Sequence, residues 1–254
     1  YFAGTCGPRT LFINIGDGLE TLKSPAFTQR YPSAREMLTV DIQETSTTAA
    51  FDAITRTIDF CMDTQSANFD TIVLDEATAL RRFAMNKAMT YNNQNRSRAA
   101  RTSEFVQVEL GDYKIEMDMI EWFLGEYIPR FKQAGKNFLM LAHERQIYGK
   151  PPKMGDEAPL IKIVPGFTGK TFPDKVPAYF DDVWRSEVVG KSPLVYRLIT
   201  ARSEKLLVGS RHGGIFAPEE SDPNFLKLLD RIKKQIPYVP KPVVTPPNPT
   251  LKRD

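Results

Sequence analysis

The chain has 254 residues, 41% of them hydrophobic and 26% charged, with a formal net charge of +3. That composition is ordinary for a globular protein and long enough for one large domain or two small ones. The weakly basic balance permits nucleic-acid contact without arguing for it, and no apolar run approaches the roughly 18 residues of a membrane span.

Thr10–Ile15 is a short apolar run that stops at Gly16-Asp17-Gly18. It predicts a buried strand and a tight turn. Between Asp41 and Asp63, Phe51, Ile54, Ile58 and Cys61 form a helical stripe. Phe69-Asp-Thr-Ile-Val-Leu74 predicts a second buried strand, ending at Asp75-Glu76. Residues 86–108 are polar and basic, with Lys87, Arg96, Arg98 and Arg101 among Asn, Gln and Ser. From Ile115 to Ala134, Met119, Ile120, Phe123, Leu124, Tyr127 and Phe131 share one helical face. Asn137-Phe-Leu-Met-Leu-Ala142 predicts a third buried strand, ending at His143-Glu144.

Residues 145–177 read as a long loop rich in Lys, Pro and Gly, carrying Arg145, Lys150, Lys153 and Lys170. Alternating segments from Asp182 to Gly209 predict antiparallel strands, the last being Lys205–Val208. Asn224–Gln235 predicts a closing helix. Beyond it, six prolines between Ile236 and Asp254 mark a tail that favours polyproline II and has little to bury. Cys6 and Cys61 lie far apart, in no metal-ligand spacing. They read as reduced thiols of a cytosolic protein.

Alternation of continuous apolar strands with helices predicts an α/β fold with a mainly parallel sheet. Ligands of such sheets bind beyond the carboxyl ends of the strands. Three polar clusters are expected there, around Asp17, Asp75-Glu76 and His143. "FDTIVLDEATAL" has the form of a Walker B strand. In that reading Asp75 holds Mg²⁺ and Glu76 orients or deprotonates the water that attacks a γ-phosphate. The competing reading is a strand that ends in a polar turn whose acids cap the next helix. His143 reads as a γ-phosphate or water contact, or as a capping or surface histidine. Asp17 reads as a nucleotide contact, or as a plain Asp-Gly turn.

"GFTGKT" at Gly166–Thr171 ends like a P-loop, but its first glycine is two residues too close and two prolines follow within six residues. A P-loop needs G-x-x-x-x-G-K-[ST] between a strand and a helix, so this segment is expected to be a basic loop.

Taken together, "TLFINIGDGL", "FDTIVLDEATAL", Gly111-Asp-Tyr113 before a long helix, a strand ending in Ala-His-Glu, "PGFTGKTFPDKVPAYFDDVWR" and a late "SRHGG" resemble the phage-encoded RecA-like P-loop ATPases of the AAA_24 type. These are related to Sak-type single-strand annealing recombinases. The resemblance spans about residues 1–235. It implies a RecA-like core with C-terminal antiparallel strands, ATP and Mg²⁺ as cofactors, and ATP hydrolysis coupled to recombination or annealing. It further implies single-stranded DNA as partner, a homo-oligomeric ring or filament, contact with a single-strand-binding or replication protein, and the cytoplasm of an infected bacterium.

In that family a P-loop precedes the short helix that Tyr1–Cys6 would continue, so the resemblance either places the P-loop ahead of Tyr1 or leaves the protein without one. The basic segments 86–108 and 145–175 take the places of DNA-binding loops, with Tyr91, Phe105 and Tyr148 available for stacking; the competing reading is a solvated polar surface. Two departures stand out. Gly16 replaces the usual catalytic glutamate, which makes Glu76 the better base. Gly209-Ser210-Arg211 replaces the usual Lys-x-Arg, so Arg211 alone could reach a neighbour's γ-phosphate, or is a β-turn arginine in solvent. A nucleotide-binding scaffold with little turnover is the alternative function.

Overall fold

The structure is a computed structural model that describes residues 2–15, 19–42, 49–93, 108–153, 157–190 and 194–239. Its centre is a four-stranded parallel sheet in the order β2-β1-β3-β4. β1 (Thr10–Asn14) and β3 (Thr71–Asp75) are the inner strands. Their Leu11, Ile13, Ile72, Val73 and Leu74 have no measurable exposure. Continuous apolar runs suit that position, because both faces of an inner parallel strand are covered. β2 (Leu38–Asp41) and β4 (Asn137–Met140) flank them.

Helices cover both faces. Between β1 and β2 lie α1 (Leu19–Lys23) and α2 (Pro25–Arg30). The Ser24 hydroxyl accepts the Phe27 N–H and caps α2. α3 (Ala50–Thr64) joins β2 to β3 and buries Phe51, Ile54, Ile58 and Cys61, the residues of the sequence stripe. α4 (Ala77–Asn93) follows β3 directly, and α5 (Leu110–Gln133) packs along it. Glu109 and Asp112 close a reciprocal capping box at the start of α5. A run of rings, Phe123, Tyr127, Phe131 and Phe138, ties α5 to β4, with successive centroids 4.9, 5.9 and 4.9 Å apart. Full burial of each such side chain is worth about 1.5–3 kcal/mol.

After β4 the chain forms an antiparallel hairpin, β5 (Glu144–Tyr148) against β6 (Leu160–Pro165), then a one-turn α6 (Phe172–Lys175). β7 (Asp182–Val183) pairs with β10 (Gly209–Ser210). β8 (Arg185–Val189), β9 (Val195–Ile199) and β11 (Glu219–Ser221) form a three-stranded antiparallel sheet. α7 (Phe225–Lys233), capped by Asn224, closes the described fold. Its Phe225 packs on Phe2 at 5.8 Å, which joins the two ends of the described chain.

The fold is therefore α/β, with a parallel sheet between helices and antiparallel strands elsewhere. Four sequence expectations change. Asp41 ends a strand, and the helix after it begins at Ala50. Lys87 sits in the last two turns of α4, where a polar, basic segment was expected to begin. The expected long loop of residues 145–177 contains β5, β6 and α6. Lys205–Val208 forms no strand; Leu206 makes an isolated bridge to Ile163, and the strand is Gly209–Ser210.

Candidate active site at the carboxyl edge of the parallel sheet

The inner strands end in register, with Asn14 opposite Asp41 on one side and Asp75 on the other. Registered residues of neighbouring parallel strands face the same way, roughly 4.8 Å apart. Three polar side chains therefore stand in a row where the apolar run stops. The Asn14 amide donates to Asp41 Oδ1 at 2.7 Å, while Asn14 Oδ1 is buried with no partner among the described residues.

Beside this row sit Glu76 and His143. The Asp75–Glu76 peptide is cis. His143 Nε2 lies 2.6 Å from Glu76 Oε2, with the imidazole largely exposed and the carboxylate mostly covered. The Ala77 N–H donates to the Leu141 carbonyl at 2.7 Å, which locks the start of α4 onto the end of β4 and brings the two strand ends together. Burial, and then the charge of Glu76, push Asp75 above its ordinary carboxylate value; His143 acts in the opposite direction. A half-buried acid beside a second acid is a place where a cation relieves repulsion.

Glu76 opens onto a cleft of about 320 Å³ shared with Thr78, Arg81, Arg82 and Asn86 of α4. Thr78, Arg81 and Arg82 were not picked out as functional in the sequence. Their signal was there in "DEATALRR", since residues three and four apart lie on one helix face. Arg81 Nε donates to Glu116 Oε1 of α5 at 2.7 Å, and Thr168 Oγ1 donates to the same oxygen at 2.6 Å. Glu116 is buried, and its Oε2 has no partner among the described residues. Burial pushes its carboxyl up, against the pull of Thr168 and Arg81.

The Gly166–Thr171 segment is built into this corner as a brace. Gly166 N–H donates to the His143 carbonyl at 2.7 Å, and an added Cβ there would come within 2.9 Å of that oxygen. Phe167 N–H is bonded to Pro165, and Arg145 holds the Gly169 carbonyl at 2.6 Å. Two of its amides and one carbonyl are thus engaged in holding the loop between β6 and α6. A helix does open after it, because Pro173 falls in the first turn of α6, where its missing N–H costs nothing.

The other expected site residues scatter. Asp17, Arg96, Arg98, Arg101 and Phe105 lie outside the described residues, as do residues 240–254 of the tail. Lys87 is paired with Asp52 and lies over the Phe51 ring at 5.6 Å, so its charge is spent on joining α4 to α3. Lys150 and Lys153 follow β5, and with Lys170 they are exposed. Arg211 was expected to project from a flexible turn. It folds back instead, donating to Asp181 Oδ1 at 3.1 Å and to the Ala178 carbonyl at 2.8 Å. Cys6 and Cys61 are free and buried, and burial raises both thiols, which keeps them unreactive.

No family model, curated protein or solved structure matches the chain. No described helix is long and apolar enough to cross a membrane, and no described cluster holds three or more metal-ligating side chains.

The raised Asp75 carboxyl sets up a stability prediction. The folded protein holds this proton more tightly than the unfolded chain does. Its stabilising effect is complete below the ordinary carboxylate pKa and is lost as pH rises through the raised value. Asp75→Asn should therefore raise the melting temperature at neutral pH by about 1–3 °C and flatten the pH dependence of unfolding. Melting curves at pH 4–8 check this; a variant less stable than the parent at neutral pH would show that the Asp75 charge helps the fold.

Proposed function

We propose that the protein binds and hydrolyses ATP and couples turnover to the handling of single-stranded DNA in recombination or annealing. The observation that carries the reading is the convergence of Asp75, Glu76 and His143 at the carboxyl edge of a parallel sheet, where open α/β sheets bind ligands. Asp75 suits Mg²⁺, which characteristically takes one or two carboxylates together with substrate phosphates rather than a full protein cage. The ion supplies charge neutralisation on the phosphates when bound. Glu76 faces the cleft and accepts a proton from water, and His143 holds that carboxylate in place. Arg81 and Arg82 bring positive charge to the same cleft.

For DNA, the β5–β6 hairpin is the best-placed surface. It presents Tyr148 and Ile161, each about half exposed (54% and 52%), and leads to the exposed Lys150 and Lys153. Basic residues that track the backbone, with an aromatic for stacking, are the usual means of sequence-tolerant single-strand binding. Homo-oligomerisation and contact with a single-strand-binding or replication protein follow from the same reading.

The test is ATP turnover measured with and without single-stranded DNA. Stimulated hydrolysis supports the enzyme; tight nucleotide binding with negligible turnover supports a scaffold, in which the Glu76–His143 pair merely caps α4. A hairpin prediction goes with it. Lys150→Ala with Lys153→Ala should lower affinity for single-stranded DNA and reduce the slope of log K against log salt by about 0.7 for each phosphate no longer neutralised. Tyr148→Ala should cost a further ~1–3 kcal/mol of binding. Lys87→Ala should leave DNA affinity unchanged, because Asp52 already holds that ammonium. Filter binding across a salt series distinguishes the hairpin from α4 as the interface.

A further inference from the structure

Among the described ion pairs only Arg81–Glu116 has a carboxylate that is fully covered, at 1% exposure, while its arginine remains 33% exposed. Covering a carboxylate is costly, and a pair built for stability offsets that cost with as many bonds as it can make, ideally two parallel N–H···O bonds between the fork and the carboxylate. Arg81 makes one. Its Nε donates to Oε1 at 2.7 Å, Thr168 Oγ1 donates to the same oxygen at 2.6 Å, and Oε2 has no partner among the described residues. A guanidinium carries further N–H donors on Nη1 and Nη2, and those of Arg81 find no acceptor among the described residues. The fork is thus held by its inner nitrogen and is not laid against its own counter-ion.

What Arg81 lines is the cleft of about 320 Å³ beside Glu76, together with Thr78 and Asn86. Thr78 Oγ1 is buried there and has no partner among the described residues, a state rare for a polar atom in a folded protein. Glu76 forms its ion pair with His143, not with the arginine. The volume lies at the low end for ligand pockets and suits a phosphate group better than a whole nucleotide. A planar fork on a fixed mount matches the paired oxygens of such a group.

We infer that the α4 cleft is a phosphoryl-binding subsite. Nη1 and Nη2 of Arg81 hold two oxygens of a phosphate group, and Glu116, buried behind the arginine, is the positioning residue that keeps the fork turned into the cleft. Thr168 ties the Gly166–Thr171 segment to the same mount, which gives that segment a part in the site without its touching the ligand. The inference rests on the proposed function for its ligands: the phosphoryl group belongs to ATP or to the backbone of single-stranded DNA.

The first test needs no variant. Arg81 is partly exposed, so its reaction with phenylglyoxal can be followed by peptide mapping of the full chain. Tripolyphosphate, ATP with Mg²⁺ and a thymidine oligonucleotide are each raised, at matched ionic strength, until their effect is constant. Occupancy of the subsite should slow modification of Arg81 by about tenfold, and leave Arg56 unchanged, which is exposed on α3 and bonded to the Asp52 carbonyl. Protection by tripolyphosphate and ATP alone assigns the nucleotide, and protection by the oligonucleotide alone assigns the DNA backbone. No protection by any of the three overturns the inference. ATP turnover is measured apart: protection by tripolyphosphate without turnover keeps the subsite and sinks the ATPase reading, and turnover with Arg81 unprotected does the reverse.

The role of Glu116 is read as affinity for whichever probe protects Arg81. Arg81→Lys keeps the charge, loses the fork and should weaken binding by about tenfold or more. Glu116→Gln retains an oxygen for the Nε–H and should bind within about threefold of the parent. Glu116→Leu should match Arg81→Lys, with no further loss when the two are combined. Additive losses, or parental affinity in either Glu116→Leu or Arg81→Lys, overturn the positioning role; should the leucine variant fail to fold, a loss in Glu116→Gln as large as that of Arg81→Lys does so.

Discussion

Glu76→Gln is expected to lower ATP turnover by about 10²–10⁴-fold, the usual contribution of a positioned general base, while leaving ATP binding near the parental level. Glu76 is placed for that role by three features of its surroundings. The Ala77 N–H anchors the next residue to β4, His143 Nε2 sits 2.6 Å from its Oε2, and the side chain faces the cleft with Arg81 and Arg82. Glutamine keeps the size of the side chain and an oxygen for His143, so the substitution removes proton-accepting capacity with little change in packing. Under the proposed function, Asp75 remains to hold Mg²⁺. Single-turnover hydrolysis and equilibrium nucleotide binding, measured on the same preparation, separate the two effects. Unimpaired turnover would exclude Glu76 as the base, and loss of turnover in Asp17→Asn instead would transfer the role to the β1 turn.

The elements visible in the sequence are those whose burial is nearly uniform. β1, β3 and β4 lie within mostly apolar runs, and the polar residues that follow two of those runs, Asp75-Glu76 and His143, were legible together with the strands. α3 and α5 showed through Ile54, Ile58, Phe123 and Tyr127, which repeat at helical spacing. β2 was missed because Leu38-Thr-Val-Asp41 is a solvent edge with no apolar run to notice. The β5–β6 hairpin was missed because Glu-Arg-Gln-Ile-Tyr and Leu-Ile-Lys-Ile-Val-Pro show half-buried alternation, weak over five or six residues, and lie on either side of a long Pro-, Gly- and Lys-rich connection. The second half of α4 looked like a loop because Asn86, Lys87, Thr90 and Asn92 are polar; α5 packs along it and supplies what propensity does not.

The site was legible in part for a related reason. Asp75, Glu76 and His143 directly follow the apolar runs that announce their strands. Asn14 and Asp41 depend on a strand register that only the sheet reveals. Glu116 depends on tertiary packing: it lies on α5, yet its carboxylate gathers Arg81 from α4 and Thr168 from the brace after β6. A buried glutamate on an otherwise amphipathic helix is indistinguishable in sequence from a solvated one. The same holds for cations. Lys87 and Arg211 read as free charges, and each turned out to be paired through a carboxylate supplied from elsewhere in the chain, Asp52 and Asp181.

Arg211→Ala is expected to reduce hydrolysis by about 10³-fold or more if subunits share their sites, which is the range in which arginine fingers act. In the described fold Arg211 holds Asp181 and the Ala178 carbonyl, and both partners of the ion pair are about half exposed, at 59% and 47%. Such exposed pairs contribute about 0–1 kcal/mol. The pairing is therefore weak enough to be exchanged for a phosphate, and its removal should leave the monomer folded, with a melting temperature within about 2 °C of the parent. Asp181→Asn supplies a second probe: by loosening the pair it should raise turnover if the arginine must leave Asp181 to act, and leave turnover unchanged if it does not. The decisive measurement mixes Arg211→Ala subunits with Glu76→Gln subunits. Each variant is inactive alone, but in a mixed assembly some boundaries pair an intact Glu76 with an intact Arg211 from the neighbour. Recovered turnover in co-assembled mixtures shows a site completed across the boundary. Absence of recovery, with co-assembly verified by affinity pull-down, assigns Arg211 to its own subunit, where its bonds to Asp181 and Ala178 already hold the end of β10 against the turn before β7.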